Sequence, residues 1–265
     1  MKNFITFRRP LFLVAVLSII FSSCVPQEKM LLLKDTKMKT ETLSENYVND
    51  RSVNYRLQPG DNLYIRVLNA LDEKAAITFN GDYMNRAATS GDASVYLQSY
   101  SVDESGCIEM PLVGRIEVKN LTVEEAKNKL QNSINQYVSG TTLIVKLSNF
   151  NVTVLGEVNK PGMYKIYQSQ VNLFEALSMA GNVTTFAKNH EVKIVRQTDT
   201  GSEVVVVDLG QADILSSPYY YLKPNDIVYV EPLKIKQWGF STFPYSTVIS
   251  VITLGITLFT LLKKN

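Results

Sequence analysis

The sequence has 265 residues, of which 45% are hydrophobic and 20% charged, so it is long enough for two modest globular domains. It has 27 lysines and arginines against 25 aspartates and glutamates, and the formal charge of +2 is too small for the phosphate neutralisation that nucleic-acid binding requires. One histidine and two cysteines also exclude the usual zinc frameworks, which need about four ligands close together. We therefore expect neither nucleic acid nor a metal ion as a ligand.

Residues 1–23 have the composition of a secretory signal peptide. Basic residues precede the apolar run LFLVAVLSIIF, which is too short for a stable membrane-spanning helix, and small residues follow it. Cys24 comes next, in the sequence IFSSC, which resembles bacterial lipoprotein signals in which the cysteine is acylated and becomes the first mature residue. Val25, instead of aspartate, is by the same resemblance typical of lipoproteins of the outer membrane. The alternative is an ordinary signal peptide with an incidental cysteine.

A lipidated tether, residues 24–53, is expected to join the anchor to the globular body. It is rich in lysine and glutamate and contains one apolar stretch, MLLL at 30–33. We expect this stretch to form a short docking strand.

Residues 54–150 are predicted to form a first unit, module one. The segment YRLQPGDNLYIRVLN begins with turn residues and continues with the alternating apolar residues of a strand. After a polar loop at 80–98, SVDESGCIEMPLVGRIEV predicts two more strands, in which we expect Cys107 to be a small buried apolar residue. Thr122 and Glu125 form a capping box at the start of an amphipathic helix, and TTLIVKLS at 141–148 follows as a strand. Module one therefore combines a small sheet with one helix.

Residues 151–233 are predicted to form module two. VTVLGEVNKPGMYKIY predicts two strands around a turn, and Asn172 and Glu175 begin a short helix that ends at Gly181. Further strands complete the order strand, strand, helix, strand, strand, which indicates a β-grasp-like α+β unit. LKPNDIVYVEP at its end echoes LQPGDNLYIRV in module one, through either shared turn chemistry or an internal repeat.

Residues 234–265 are predicted to form a C-terminal amphipathic transmembrane helix. At 100° per residue, five hydroxyl residues fall within an arc of about 80°, and we call them the hydroxyl stripe: Ser246, Ser250, Thr253, Thr257 and Thr260. The segment 246–262 would be about 25 Å long, short for an average bilayer but suited to a thin outer membrane. Flanking residues have the types of interfacial anchors: Trp238, Phe240, Phe243, Tyr245, Lys263 and Lys264. The stripe fits either a packing contact between helices or a wall that faces water.

Residues 54–232 resemble one family over almost the whole predicted body. YRLQPGDNLYIRV with GCIEMPLVGRIEVKNLTVEEAKNKLQNSI resembles the polysaccharide export domain of Wza-type outer-membrane lipoproteins. VTVLGEVNKPGMYKI, NLFEALSMAGNVTTFAKNHEVKIVR and YLKPNDIVYVEP resemble its companion, the SLBB β-grasp domain. One β-grasp module is present, whereas longer members of the family have two or more. The expected fold is therefore α+β, with two sheet-plus-helix modules followed by the transmembrane helix.

The resemblance implies a function in the export of capsular or extracellular polysaccharide. Members of the family form rings, typically eightfold, whose terminal helices build an α-helical barrel. Eight helices about 10 Å apart would leave a lumen of roughly 15 Å, lined by the hydroxyl stripe. The implied partners are other copies of the chain, the exported polysaccharide and an inner-membrane copolymerase with its tyrosine autokinase. The implied location is the outer membrane, with a lipid anchor and a periplasmic body.

An enzymatic function has little support in the sequence. His190 is the only histidine, and we expect it in an exposed polar loop. Asp61, Asp208 and Asp226 occupy predicted turns or strand ends, where capping explains them better than catalysis does. No P-loop or G-x-G-x-x-G motif follows a predicted strand, and we expect no cofactor.

The serious alternative is an envelope scaffold or a glycan-binding lipoprotein without a pore. In that function, module two would bind a glycan or an envelope protein, and the C-terminal segment would be only a second anchor. Tyr219, Tyr220 and Tyr221 would fit a sugar-binding platform, but strand packing explains them better.

Overall fold

The structure, a computed structural model, describes residues 32–33, 46–49, 55–69, 79–80, 91–198, 200–237 and 245–264. In this part of the chain the fold is α+β. The helices are α1 (Asp92–Leu97), α2 (Val123–Ile134), α3 (Leu173–Met179), α4 (Lys234–Gln237) and α5 (Tyr245–Lys264). The strands are β1 (Asn62–Asn69), β2 (Ser99–Ser101), β3 (Cys107–Met110), β4 (Gly114–Glu117), β5 (Thr141–Leu147), β6 (Asn151–Gly156), β7 (Gly162–Lys165), β8 (Val171–Asn172), β9 (Ala187–Thr198), β10 (Gly201–Val207), β11 (Tyr221–Leu222) and β12 (Ile227–Pro232).

Module one has an antiparallel sheet in the order β2-β1-β5, with a separate hairpin of β3 and β4. Alternate residues of β1 are buried, as a sheet with one covered face requires: Leu63, Ile65 and Val67. The helix α2 contributes residues spaced by four to the same core, namely Ala126, Leu130 and Ile134. Burial of each large side chain contributes roughly 1.5–3 kcal/mol.

Module two has a five-stranded sheet in the order β10-β9-β12-β6-β7. Its last strand, β12, lies in the middle, antiparallel to β9 and parallel to β6. The short helix α3 buries Leu173, Ala176 and Leu177 in the core formed with this sheet. The two-stranded pair of β8 and β11 lies next to the start of α3.

Both predicted capping boxes are confirmed. The Thr122 hydroxyl accepts a hydrogen bond from the Glu125 N–H (3.2 Å), and the Glu125 carboxylate accepts one from the Thr122 N–H (2.7 Å). Asn172 and Glu175 make the same reciprocal pair, at 2.9 and 2.8 Å. Each box satisfies two N–H groups that have no partner within the helix, and so fixes where the helix begins.

The echoing segments share their turn geometry. In the turns 58–61 and 223–226, the N–H of the fourth residue donates to the carbonyl of the first at 3.1 Å. The aspartate at the fourth position accepts the N–H of the first residue, at 2.8 and 2.7 Å. Gly60 and Asn225 adopt positive φ at the third position, after a proline, as a type II turn requires. The strands that follow the two turns, β1 and β12, are paired differently. β1 has antiparallel neighbours on both sides, whereas β12 has one parallel neighbour, β6. Shared turn chemistry therefore explains the echo better than a repeat.

The two modules are joined with almost no intervening loop. The side chain of Leu147, at the end of β5, packs against both hydrophobic cores. The amide of Asn149 accepts a hydrogen bond from the Asn62 N–H (3.0 Å) and donates one to the Gly60 carbonyl (3.2 Å). The Asn151 carbonyl then accepts the N–H of Asn225 at 2.8 Å, so the connection is bonded to both proline turns.

The predicted C-terminal transmembrane helix at 234–265 is wrong. The segment contains α4 and the 20-residue α5, but within the described residues no helix is both long and apolar enough to cross a membrane. Polar residues occupy both ends of α5, which leaves roughly 15 mainly apolar residues, or about 22 Å, against a hydrocarbon core of about 30 Å. The hydroxyl stripe and Gly255 lower the apolar content of that part further. The prediction had relied on a thin membrane to accept so short a segment.

Two single-residue expectations also need correction. His190 lies in β9 and is half-buried, so it is a strand residue and does not belong to an exposed loop. Cys107 lies in β3 and is half-buried, although we had expected a buried residue. Several other predicted features lie outside the described residues: the signal peptide, Cys24, Trp238, Phe240 and Phe243.

Candidate functional site

The hydroxyl stripe lies along the exposed surface of α5. Three of its hydroxyls donate to the carbonyl four residues earlier: Ser250 to Ser246 (2.7 Å), Thr253 to Ile249 (2.7 Å) and Thr257 to Thr253 (2.8 Å). Thr260 donates to the carbonyl of Thr257, three residues earlier, at 2.8 Å. These bonds use the hydroxyl protons within the helix, and each hydroxyl oxygen can still accept a hydrogen bond from outside.

The rest of α5 presents apolar side chains. Those that are 54–65% exposed are Ile249, Val251, Ile252, Leu254, Ile256 and Leu261. Tyr245, Lys263 and Lys264, which we predicted to be interfacial anchors, lie at the ends of α5, and the structure does not describe their side chains. A contiguous apolar surface of this kind is typical of an interaction site.

The start of the C-terminal segment is bonded to module two. The Leu233 N–H donates to the Phe186 carbonyl at 2.7 Å, and the Lys236 ammonium forms an ion pair with the Glu157 carboxylate. Glu157 also accepts a hydrogen bond from the Thr184 hydroxyl at 2.8 Å. Burial opposes ionisation, but the hydrogen bonds from Lys236 and Thr184 and the nearby Lys236 charge hold the pKa of Glu157 below its usual value. This ion pair fixes α4 against the end of β6.

The three consecutive tyrosines are half-buried and engaged in packing. The Arg196 guanidinium lies over the Tyr219 ring, with its Cζ atom 5.0 Å from the ring centroid. The Tyr219 hydroxyl donates a hydrogen bond to the Glu203 carboxylate at 2.8 Å. Tyr220 and Tyr221 meet nearly edge to face, with ring centroids 5.0 Å apart. Such tilted rings do not form one flat platform, so the structure favours strand packing for these residues.

The aspartates that could suggest catalysis are turn residues. Asp61 accepts hydrogen bonds from the Tyr55 hydroxyl (2.8 Å) and the Gln58 N–H, and Asp208 accepts the Gly210 N–H at 2.7 Å. Burial raises the pKa of the Asp61 carboxyl and also that of the Tyr55 hydroxyl. These hydrogen bonds explain why aspartates occupy these positions without assigning them a catalytic function.

Asp226 forms a buried ion pair with Arg196, at 2.7 Å, in addition to its turn. The side chains are 1% and 8% exposed, so the charges neutralise each other away from water. Within the described residues, no group of three or more histidine, cysteine, aspartate or glutamate side chains is placed to hold a metal ion.

The structure has one apolar surface that was not predicted from the sequence. The face of the five-stranded sheet opposite α3 presents exposed Leu155, Met163, Val204 and Val206. Half-buried Val195 and Ile227 lie between them on the central strands. The signal was the run of four valines at the end of β10, which places apolar side chains on both faces of that strand, where an ordinary solvated face has polar residues.

Comparisons with known families match two consecutive parts of the chain. The model for "Polysaccharide biosynthesis/export protein" matches residues 49–148, and that for the SLBB domain matches residues 151–230. Together they cover roughly two thirds of the chain. The export domain and the SLBB domain that the sequence resemblance predicted are therefore both found, in the predicted order.

Two curated relatives share the name "EPS I polysaccharide export outer membrane protein EpsA". The protein from Ralstonia nicotianae is 30% identical over 120 residues, which are 44% of this chain and 31% of the relative. That from Ralstonia solanacearum is 29% identical over 148 residues, which are 50% of this chain and 36% of the relative. The chain thus spans about a third of the length of the curated relatives it matches.

Proposed function

We propose that this chain is a subunit of an outer-membrane complex that exports a capsular or extracellular polysaccharide. The observation that carries the proposal is the presence of an export domain followed by an SLBB domain, at 49–148 and 151–230. The printed names of the two relatives, which describe outer-membrane export of a polysaccharide, support it.

The proposed assembly is a ring of identical copies, eightfold by resemblance to the family. The hydroxyl stripe faces a water-filled passage, and the apolar surfaces on either side of it contact α5 of neighbouring copies. Hydroxyl oxygens exchange hydrogen bonds with sugars, and the absence of fixed charge on the stripe lets the polymer leave again. This arrangement does not require α5 to span the bilayer.

The remaining parts of the proposal follow from the sequence. Cys24 is acylated and anchors the tether in the outer membrane, with modules one and two in the periplasm. The partners are the exported polysaccharide and an inner-membrane copolymerase with tyrosine autokinase activity, which delivers the polymer. The chain itself catalyses no reaction and holds no cofactor in this function.

The test uses cells that lack the chain and cells in which it is restored. We expect loss of polysaccharide from the cell surface without the chain and recovery on restoration, measured as surface carbohydrate per cell. The mass of the detergent-extracted, acylated complex should be a multiple of the mass of one chain. Unchanged surface polysaccharide would contradict the export function, whereas a monomeric mass would contradict only the ring.

The second candidate is an envelope scaffold or glycan-binding lipoprotein without a pore. One observation favours it: the stripe hydroxyls donate to carbonyls of their own helix, as they do in helices whose serines and threonines have no special function. In that case the two faces of α5 should be equally sensitive to an added charge.

A further inference from the structure

Two leucines of the tether contact module two and bypass module one. The Leu33 N–H donates to the Leu209 carbonyl at 2.8 Å. The half-buried Leu32 side chain packs against the hydrophobic core of module two. We had expected the stretch 30–33 to dock as a strand, but these two residues form a bend.

The receiving position is the turn that follows β10, the edge strand of the five-stranded sheet. Leu209 is fully buried, and its N–H donates to the Asn189 carbonyl at 2.9 Å, on the side of β9. Its carbonyl accepts the Leu33 N–H. The tether therefore occupies one backbone acceptor and one apolar contact of module two.

We propose that Leu32 and Leu33 are a clip that ties the N-terminal tether to module two at Leu209. The clip site takes one apolar side chain and one backbone N–H from a bend of this same chain. Leu32 lies eight positions after Cys24, so the intervening part of the tether reaches at most about 28 Å. If Cys24 carries lipid, as proposed above, this reach limits how far module two lies from the membrane surface.

The two leucines contribute in different ways. Leu33 provides its backbone, since its side chain is 41% exposed, and it adopts a left-handed conformation with φ of 53°. Asparagine adopts that conformation more readily than leucine and keeps the N–H. Leu32 provides its side chain. A change at Leu32 should therefore open the clip, and Leu33→Asn should leave it closed.

The experiment is limited trypsin digestion of the full acylated chain under native conditions, followed by intact mass. Cleavage after Lys29 should be at least tenfold faster in Leu32→Asp than in the wild type, and within twofold of the wild type in Leu33→Asn. Cleavage after Lys165, inside module two, reports unfolding of the module and should not change. Leu32→Ala provides a milder second variant, for which a smaller increase after Lys29 alone is expected.

Two results would overturn the clip. One is wild-type cleavage after Lys29 in both Leu32 variants. The other is equal acceleration after Lys29 and Lys165 in both variants, since Leu32 would then be an ordinary core residue. Neither result depends on whether the chain exports a polysaccharide.

Discussion

Gly156 shows how one residue can be fixed by a strand far along the chain. Its φ is +89°, and a Cβ atom at this position would lie 2.0 Å from the Val230 carbonyl oxygen of β12. The next residue, Glu157, donates its N–H to the same oxygen at 2.9 Å. The β6 backbone therefore has no room for a side chain where it passes β12.

We expect Gly156→Ala to lower the free energy of unfolding by about 3 kcal/mol, because overpacking and backbone strain act together. Chemical denaturation followed by circular dichroism measures this change. Gly162→Ala is the matched control, since its nearest contact would be an ordinary 3.9 Å to the Tyr164 hydroxyl. Equal losses for the two variants would contradict the steric explanation.

The ion pair of Glu157 and Lys236 predicts a pH dependence. The pKa of Glu157 is lowered in the folded chain, so the ionised carboxylate stabilises the fold above its unfolded pKa of about 4.3. That contribution is lost as the pH falls through the lower, folded pKa. We therefore expect the melting temperature of the wild type to exceed that of Glu157→Gln at pH 7 and the difference to shrink below about pH 4.

Thermal scans of both proteins from pH 3 to pH 7 measure this difference. Using the difference removes the effect of groups common to both proteins. Asp61 is one such group, since it is present in both proteins. Its pKa is raised in the folded chain, so it favours the folded state as the pH falls, which is opposite to the effect of Glu157. A difference that stays constant with pH would show that Glu157 acts through packing alone.

At the scale of the element, α5 provides the sharpest test of the proposed passage. Thr253→Lys places a charge on the hydroxyl stripe, whereas Leu254→Lys and Ile256→Lys place it on the apolar flanks. If the stripe faces water, we expect Thr253→Lys to assemble normally but to lower polysaccharide export severalfold. The two flank variants should fail to assemble, because a lysine charge would be buried between neighbouring helices.

The measurements are the mass of the detergent-extracted complex and surface carbohydrate per cell. All three variants add the same charge within four positions of one another but at different angles around the helix axis, so each is a control for the others. Equal defects in all three would favour a scaffold without a passage.

Elements could be predicted when the residues that determine them lie close together in the sequence, and could not be predicted when those residues lie far apart. The capping boxes at Thr122 and Asn172 were predicted correctly, since each uses residues only three apart. The bond from Leu33 to Leu209 was not predictable in detail, because its partner belongs to another unit. The transmembrane prediction failed for a different reason: the apolar segment was counted as about 25 Å and accepted on the assumption of a thin outer membrane.

At the scale of the whole molecule, modules one and two have separate hydrophobic cores that meet at a shared residue. Leu147 contacts both cores, and Phe150, which the sequence suggested for module one, packs in the core of module two. The order and type of the units could be read from turn residues and periodicity. Their close union could not, because it depends on the side-chain amide of Asn149 and the backbone carbonyl of Asn151, and neither residue is distinguished in the sequence from an ordinary loop residue. The exposed apolar sheet face was missed for the same reason, since its residues come together only after folding.

The central position of β12 has a consequence for the order in which the chain becomes structured. When a polypeptide emerges with its N-terminus first, the sheet of module one can close once β5 has appeared. The sheet of module two has to wait for its final strand, which is inserted between two strands made earlier. Such pairing over a long sequence separation is slow. The half-made second sheet therefore exposes two open edges until residue 232 has emerged, and this is when a nascent chain most needs a chaperone.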